Sequence, residues 1–508
     1  MEKLQLDHTS IKTEFFEHLS LSGNNRILFT APFGAGKSTF LNEFFQEHDS
    51  KYFTLKLYPV NYSVSQNEDV FELIKFDLLL QLMGIYKEDV NLKKEDFSTL
   101  LLSQVYISEH LKVMPIVNAL ISLSGKVGKS AVEIIKSLGS TIDDFKAFQE
   151  EMKIDEEHEV KRFLSQIEGR KGSGYEMDEI SELIFDLLER VKESKHLTDG
   201  PEVDSVLVID DLDRLDPEHT FRLFNVFTAH FDEIDQRNKF GFNTVIFVCD
   251  IENIWKLYRH KYGVGVDFKG YMDKFYSYLP FDFDNRKYLK EKIGTFFNTL
   301  ATNHTNSGQV FSLLTKSENN HDFYYVVRFV LLSLISAKAL NLRTLVSNSR
   351  YDFPDYIFDT YKDRRANSDF PILLLFNLLK RFYTSLEIVK EKLILLDALF
   401  TDYSVQRSSE HESLNDQHIL GILKSALLPF LLPREQGFKR LRDKNDVTVG
   451  YSSALGAWLH YETDHFYDKI TFTKATIDAD LESAETQISI YKMLLACFNE
   501  CLKINAFR

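Results

Sequence analysis

Cysteine is nearly missing. Cys249, Cys497 and Cys501 are the only three in 508 residues, too few for a disulfide framework, and this fits a reducing cytoplasm. Proline and glycine are scarce, at 10 and 21 residues, which leaves little sequence for flexible linkers. No uncharged apolar run reaches the roughly 18 residues that a membrane helix needs. The greasiest stretches, 329–340, 371–382 and 419–432, are broken by Lys338, by Lys380 and Arg381, and by Lys424 and Pro429. The opening residues MEKLQLDHTS carry no apolar signal-peptide core, so the expected location is cytoplasmic. A basic excess is missing too. The net charge of -16 argues against a chain that wraps nucleic acid through generic phosphate contacts. A local basic run, Arg434, Lys439, Arg440, Arg442 and Lys444, reads most simply as a solvated face.

What is present is material for large cores. The 43 phenylalanines and 23 tyrosines are enough for several aromatic clusters, and the length suggests about two to four domains. Residues 10–19 read as a helix capped by Ser10. "RILFT" (26–30) reads as a strand, followed by a glycine loop, an amphipathic helix, a second strand "YFTLKLY" (52–58) and a helix from about Asn67 to Leu82. Strand, glycine turn, helix, strand is how a parallel α/β sheet begins. Residues 94–195 read mostly as helix, with a break at "EGRKGSGYE" (168–176). Strand character returns at "SVLVID" (205–210), "NTVIFVCD" (243–250) and "FYSYLPF" (275–281). After about residue 286 the pattern is nearly all helical.

The loop is Ala31-Pro32-Phe33-Gly34-Ala35-Gly36-Lys37-Ser38, the phosphate-loop (Walker A) pattern with alanine in place of its first glycine. Gly34 and Gly36 can take backbone angles that turn successive N–H groups toward one anion, and the following helix adds its dipole. Phe33, Gly34, Ala35, Gly36, Lys37, Ser38 and Thr39 are the nucleotide-binding candidates. Lys37 would reach the β- and γ-phosphates and Ser38 would ligate Mg²⁺. A second GKS, in "GKVGKS" (125–130), has no strand before it and reads as a solvated helix face.

"VLVIDDLDRLD" (206–216) ends an apolar run in two aspartates, the Walker B pattern. Asp210 is the metal-side candidate, and Asp211 is placed to orient or deprotonate the attacking water. "TVIFVCD" ends at Asp250, a sensor candidate if this strand lies between the two Walker strands, and equally an N-cap for "IENIWKLY". The guanine signature Asn-Lys-x-Asp is missing; "NKFG" (238–241) lacks the aspartate. ATP is therefore the expected nucleotide. "HYETDH" (460–465) puts His460 and Asp464 one helical turn apart and reads as a surface helix rather than a metal site. Cys497 and Cys501 share a helix face and read as core.

The aromatic inside "PFGAGKS", the "IDDLDRL" segment, the Asp-ended strand and "MDKFYSYLPF" (272–281) together resemble the KAP group of P-loop NTPases, over about residues 10–350. "LNLRTLVSN" (340–348) resembles that family's lid helix, with Arg343 as sensor arginine. The resemblance implies an additional-strand ATPase with a helical lid, related to AAA+ and signal-transducing NTPases and, in prokaryotes, often associated with defence against phages. Many members carry paired membrane helices in the insert between the Walker motifs; the apolar part of this insert, 113–125, is too short to span. Relatives of this class commonly complete the site across a subunit boundary with an arginine, for which Arg214 is the candidate. Its alternative is to pair with Asp213 or Asp216 and order its own turn.

The expected fold is α/β: a P-loop NTPase with a parallel five-stranded sheet, a helical insert between Walker A and Walker B, a helical lid and an α-helical C-terminal domain. The expected segments are 1–93 and 196–285 for the NTPase core, 94–195 for the insert, 286–365 for the lid and 366–508 for the C-terminal domain. The expected function is an ATPase with ATP and Mg²⁺ as cofactors that drives a conformational or assembly switch, as a homo-oligomer with a protein partner still to be identified. The alternatives are a nucleotide-gated scaffold with little turnover and an ATP-dependent nucleic-acid clamp.

Overall fold

Short runs of β-branched and aromatic residues form one parallel sheet, as such runs do when both faces are covered. The strands are β1 (Arg26–Thr30), β2 (Tyr52–Leu57), β3 (Asp204–Ile209), β4 (Thr244–Cys249) and β5 (Phe281–Asp282), in the order β2-β3-β4-β1-β5. Every pairing is parallel. The computed structural model describes residues 8–61, 70–90, 179–196, 202–228, 238–299, 323–348, 366–400, 416–432, 448–466, 469–478 and 489–507. The apolar stretch 113–125, the second GKS and the basic run 434–444 lie outside them.

The chain divides into two units, His8–Phe283 and Asp284–Arg508. In the first, α1 (Thr9–Leu19) and α2 (Lys37–Glu47) cover one sheet face. The Phe15 ring meets Phe29 of β1 at 5.3 Å, Phe44 of α2 at 4.8 Å and Phe281 of β5 at 5.0 Å. One aromatic cluster thus clamps the strand before the glycine loop to the helix after it. Each such buried ring contributes about 1.5–3 kcal/mol. On the opposite face α3 (Val70–Ile85) buries Ile74, Leu78 and Leu82, four residues apart, with the helix Glu179–Lys195. Gln81 acts as a surrogate strand for the exposed edge of β2: its side chain accepts from Lys56 N at 3.0 Å and donates to Lys56 O at 2.7 Å. Tyr86 donates to Thr54 O at 3.1 Å on the same edge. Such cover satisfies groups that would otherwise template pairing with another chain.

Two local features differ from the sequence expectation. Ser10 is not the cap of α1: Lys12 N already bonds His8 O at 2.8 Å, which starts the helix earlier, and Ser10 Oγ donates to Glu14 Oε1. The fifth strand is Phe281–Asp282, not 275–281. Pro280 cannot donate to a ladder, and Ser277 instead ties β1 from its side, its N donating to Arg26 O and its Oγ accepting from Arg26 N.

The second unit is mainly helical. Its helices include Arg286–Thr299, Phe323–Ser336, Pro371–Tyr383, Leu386–Leu399, Asp416–Leu431 and Ile490–Lys503 around one apolar core. Pro371 starts its helix in the first turn, where the missing N–H costs nothing. Ser385 caps Leu386–Leu399 and Ser489 caps Ile490–Lys503, accepting from Glu387 N and Lys492 N. The expectation of helix throughout fails at 448–478. Here β6 (Thr448–Ser452), β7 (Ala457–Phe466) and β8 (Lys469–Asp478) form an antiparallel sheet in that order. Alternation in "KITFTKATID" has period two, and the strands carry β-branched and aromatic residues, so local pattern favours a hairpin. His460 and Asp464 therefore sit on a strand, not one helical turn apart.

Candidate functional site

β4 lies between the two Walker strands, paired with β1 on one side and β3 on the other. Parallel strands deliver their C-terminal ends to one edge, the usual site of ligand contact in such sheets. At that edge stand the glycine loop after β1, Asp210 and Asp211 after β3, and Asp250 after β4.

The loop's geometry explains its composition. Gly34 and Gly36 have φ of 80° and 98°, in the left-handed region that side chains resist. Ala31 is not among the positive-φ residues, so the first position needs no glycine; it is buried, with its N–H donating to Cys249 O at 3.3 Å. Lys37, only 7% exposed, donates through Nζ to Ala31 O at 2.8 Å and Pro32 O at 3.4 Å. Its ammonium therefore folds back over the loop. Phe33 stands exposed at the tip, and Thr39 is exposed in the first turn of α2.

Asp210 is 2% exposed. Its carboxylate accepts from Asp211 N at 2.8 Å and lies beside the Ser38 hydroxyl. Burial pushes this carboxyl above its ordinary range, the Ser38 hydroxyl pulls it down, and the Asp211 charge adds to the rise. A buried carboxylate beside a hydroxyl is a hard-oxygen pair suited to a small divalent cation. Asp211 itself has φ of 57°, a strained backbone state for aspartate that the surrounding structure must hold. Its Oδ2 accepts from Arg214 Nη1 at 2.8 Å. The partner of Arg214 is thus Asp211, not Asp213 or Asp216. Asp213 instead accepts from Asn253 Nδ2 at 3.3 Å.

Asp250 makes two contacts at once. Oδ1 accepts from Glu252 N at 3.1 Å, capping the helix Ile251–Tyr262, and Oδ2 accepts from Phe33 N at 3.3 Å. One carboxylate therefore joins the tip of the glycine loop to the strand between the Walker strands. Thr30 Oγ1 reinforces this by accepting from Ile251 N at 3.0 Å. Arg343 belongs to the second unit, exposed in the first turn of Leu342–Ser347, a helix capped by Asn341.

Sequence reasoning passed over Tyr58. It directly follows β2, and Asp210 N donates to Leu57 O at 2.9 Å, so Tyr58 stands beside Asp210. The signal was available in "KLYP": a polar-tipped aromatic at the C-terminal end of a strand that Pro59 terminates.

Among the described residues no helix is long and apolar enough to cross a membrane. No curated protein and no solved structure matches the chain. The model of the KAP family P-loop domain matches residues 17–345. That span is more than half of the 508 residues and contains every element of the site above, so the chain belongs to the KAP family and carries a nucleotide-binding P-loop NTPase domain.

Proposed function

We propose that the protein binds ATP with Mg²⁺ and hydrolyses it, and that nucleotide state drives a conformational or assembly switch. The observation that carries this reading is the Ser38 hydroxyl set beside the buried Asp210 carboxylate, next to a loop whose glycines have positive φ. That arrangement brings an anion cradle and a hard-cation pair side by side. Loop N–H groups and Lys37 would bind the phosphates, with Lys37 leaving the Ala31 and Pro32 carbonyls to do so. Ser38 and Asp210 would hold Mg²⁺, whose charge offsets that of the phosphates. Asp211 orients the attacking water and accepts its proton, while Asp250, bonded to the loop tip, registers whether a γ-phosphate is there. Arg343 is kept as the sensor-arginine candidate, and self-assembly with a further protein partner is the output. The missing guanine signature favours ATP over GTP.

The test is Asp211→Asn. The amide keeps the shape but cannot accept a proton, so MgATP affinity by calorimetry should stay within about threefold while turnover falls on the order of 100-fold. Wild-type turnover in this variant would move the water-activating role to Asp250. A second reading has a specific observation behind it. Asp211 is tied to Arg214 and is shorter than glutamate, which suits a scaffold that retains ATP. Stoichiometric retention without steady phosphate release would favour that alternative.

A further inference from the structure

The helix Ile251–Tyr262 starts at the Asp250 cap and runs for 12 residues, to an end about 18 Å along its axis. Ile254 and Tyr258 fix one face of it in the core. Another face carries Trp255, Lys256, Arg259 and His260, neighbours at helical spacing, with the Arg259 guanidinium 4.5 Å from the Trp255 ring centre. Gly263 ends the helix. Its φ is 92° and its N–H donates to Arg259 O at 3.0 Å, a left-handed backbone that turns the chain out into Val264-Gly265-Val266. Val264 is 76% exposed and Val266 46%. A Cβ placed on Gly263 or Gly265 would meet nothing within 4 Å, so the loop projects clear of its neighbours. Behind the valines Tyr262 is pinned, its ring centre 4.8 Å from that of Tyr258 and 5.7 Å from that of Phe221.

We infer that this tip docks on an anionic lipid surface, the two valines entering the acyl boundary and the cations behind them meeting the headgroup phosphates. Charge complementarity sets the sign of the partner. From Trp255 to Lys269 the sequence holds Lys256, Arg259, Lys261 and Lys269 against one carboxylate, Asp267, in a chain whose net charge is -16. That carboxylate is engaged within its own turn, Oδ1 accepting from Gly270 N at 3.1 Å as the cap of Phe268–Met272. A local cationic excess of this kind is drawn to anionic lipid. The order back along the chain also suits a lipid boundary: aliphatic tip, then Tyr262, then lysine and arginine with Trp255 among them, the layering of an interfacial segment. The valines favour lipid over nucleic acid, because a phosphate backbone offers nothing to a branched aliphatic side chain. One face of the Trp255 ring is also taken by Arg259, which leaves less of it for a base to stack on. Such a contact rests on the membrane and needs no spanning helix.

The experiment is co-sedimentation of the full chain with vesicles of phosphatidylcholine, alone or mixed with phosphatidylglycerol, at about 0.15 M salt. The wild-type chain should bind the mixed vesicles at least about tenfold more tightly than the neutral ones, since each cation near an anionic surface adds to the attraction. Val264→Asp with Val266→Asp should lower affinity for mixed vesicles at least about tenfold, because apolar transfer is lost and like charges repel. The thermal midpoint should stay unmoved, since neither valine is in the core. Lys256→Gln with Lys261→Gln keeps the valines and should also lower that affinity at least about tenfold. A wild-type chain that stays in the supernatant with both kinds of vesicle overturns the inference. So does either variant sedimenting as the wild type does, because another part of the chain would then carry the lipid. Binding of single-stranded DNA that both variants lose, with no vesicle binding by the wild type, overturns it as well and gives the tip to nucleic acid.

Discussion

The buried polar groups at the glycine loop differ from those in the core of the second unit. In residues 8–283, Thr30, Lys37 and Asp210 are buried and all stand where strands end at the glycine loop. In residues 284–508, buried Ser333 shares a hydrogen bond with Tyr491 at 2.7 Å inside a core of leucines and phenylalanines, and Asn377 donates to Asn367 at 3.0 Å. These two pairs close on themselves, as Ser205 and Asn243 do in the first unit. The glycine-loop edge leaves a lysine on backbone carbonyls, a carboxylate pushed toward its neutral form, and an aspartate with left-handed backbone. Groups held at such a cost are characteristic of sites that act on a ligand.

Lys37→Ala breaks that contrast most strongly. MgATP affinity should drop at least about a thousandfold, on the order of 4 kcal/mol, because no other loop side chain supplies a cation. Stability should change by about 1 kcal/mol or less, since two carbonyls lose a donor that water can replace. Calorimetry and denaturant unfolding measure the two. Unchanged affinity would detach the loop from nucleotide binding.

The converse change is Leu494→Ala. Leu494 is fully buried on the helix Ile490–Lys503, and its truncation should cost about 3 kcal/mol of unfolding free energy through lost transfer and a cavity. Nucleotide affinity should stay within about twofold, as sites without shared partners are independent. A parallel fall in affinity would show that the second unit's core is coupled to the loop.

Much of the first unit was legible in sequence, because its signals are local. A glycine needing positive φ, a lysine after it and a strand ending in two aspartates each carry their own physics, and β4 falls between the Walker strands, the condition on which Asp250 is a sensor candidate. The place of Tyr58 beside Asp210 was not legible, since it comes from the register of β2 against β3, a long-range pairing. Nor was the partner of Arg214: a three-residue turn with Asp211 in left-handed backbone selects Asp211 over Asp213, and nothing in the order of letters marks that φ. The strands at 448–478 were overlooked for a simpler reason. Their own period of two is short beside the helical pattern of the sequence around them.

The smallest expected effect belongs to Arg214. Its ion pair with Asp211 joins a guanidinium 48% exposed to a carboxylate 26% exposed, and pairs so open to water contribute little. Arg214→Ala should therefore change unfolding free energy by less than about 0.5 kcal/mol. Its effect on turnover separates the two roles an arginine here can have. Held against Asp211, Arg214 would order the proposed water-activating carboxylate from within its own subunit, and turnover should then fall only about threefold, an orientation effect. An arginine that served a neighbouring subunit would neutralise transition-state charge and cost far more, on the order of a thousandfold. Mixing decides between them. Lys37→Ala subunits still offer Arg214, and Arg214→Ala subunits keep an intact loop. The cis role predicts that the mixture's phosphate release is the sum of its parts, at concentrations where native mass spectrometry detects species carrying both variants. Release above that sum, rising as mixed species form, would carry Arg214 across a subunit boundary and make the Asp211 pair its resting contact.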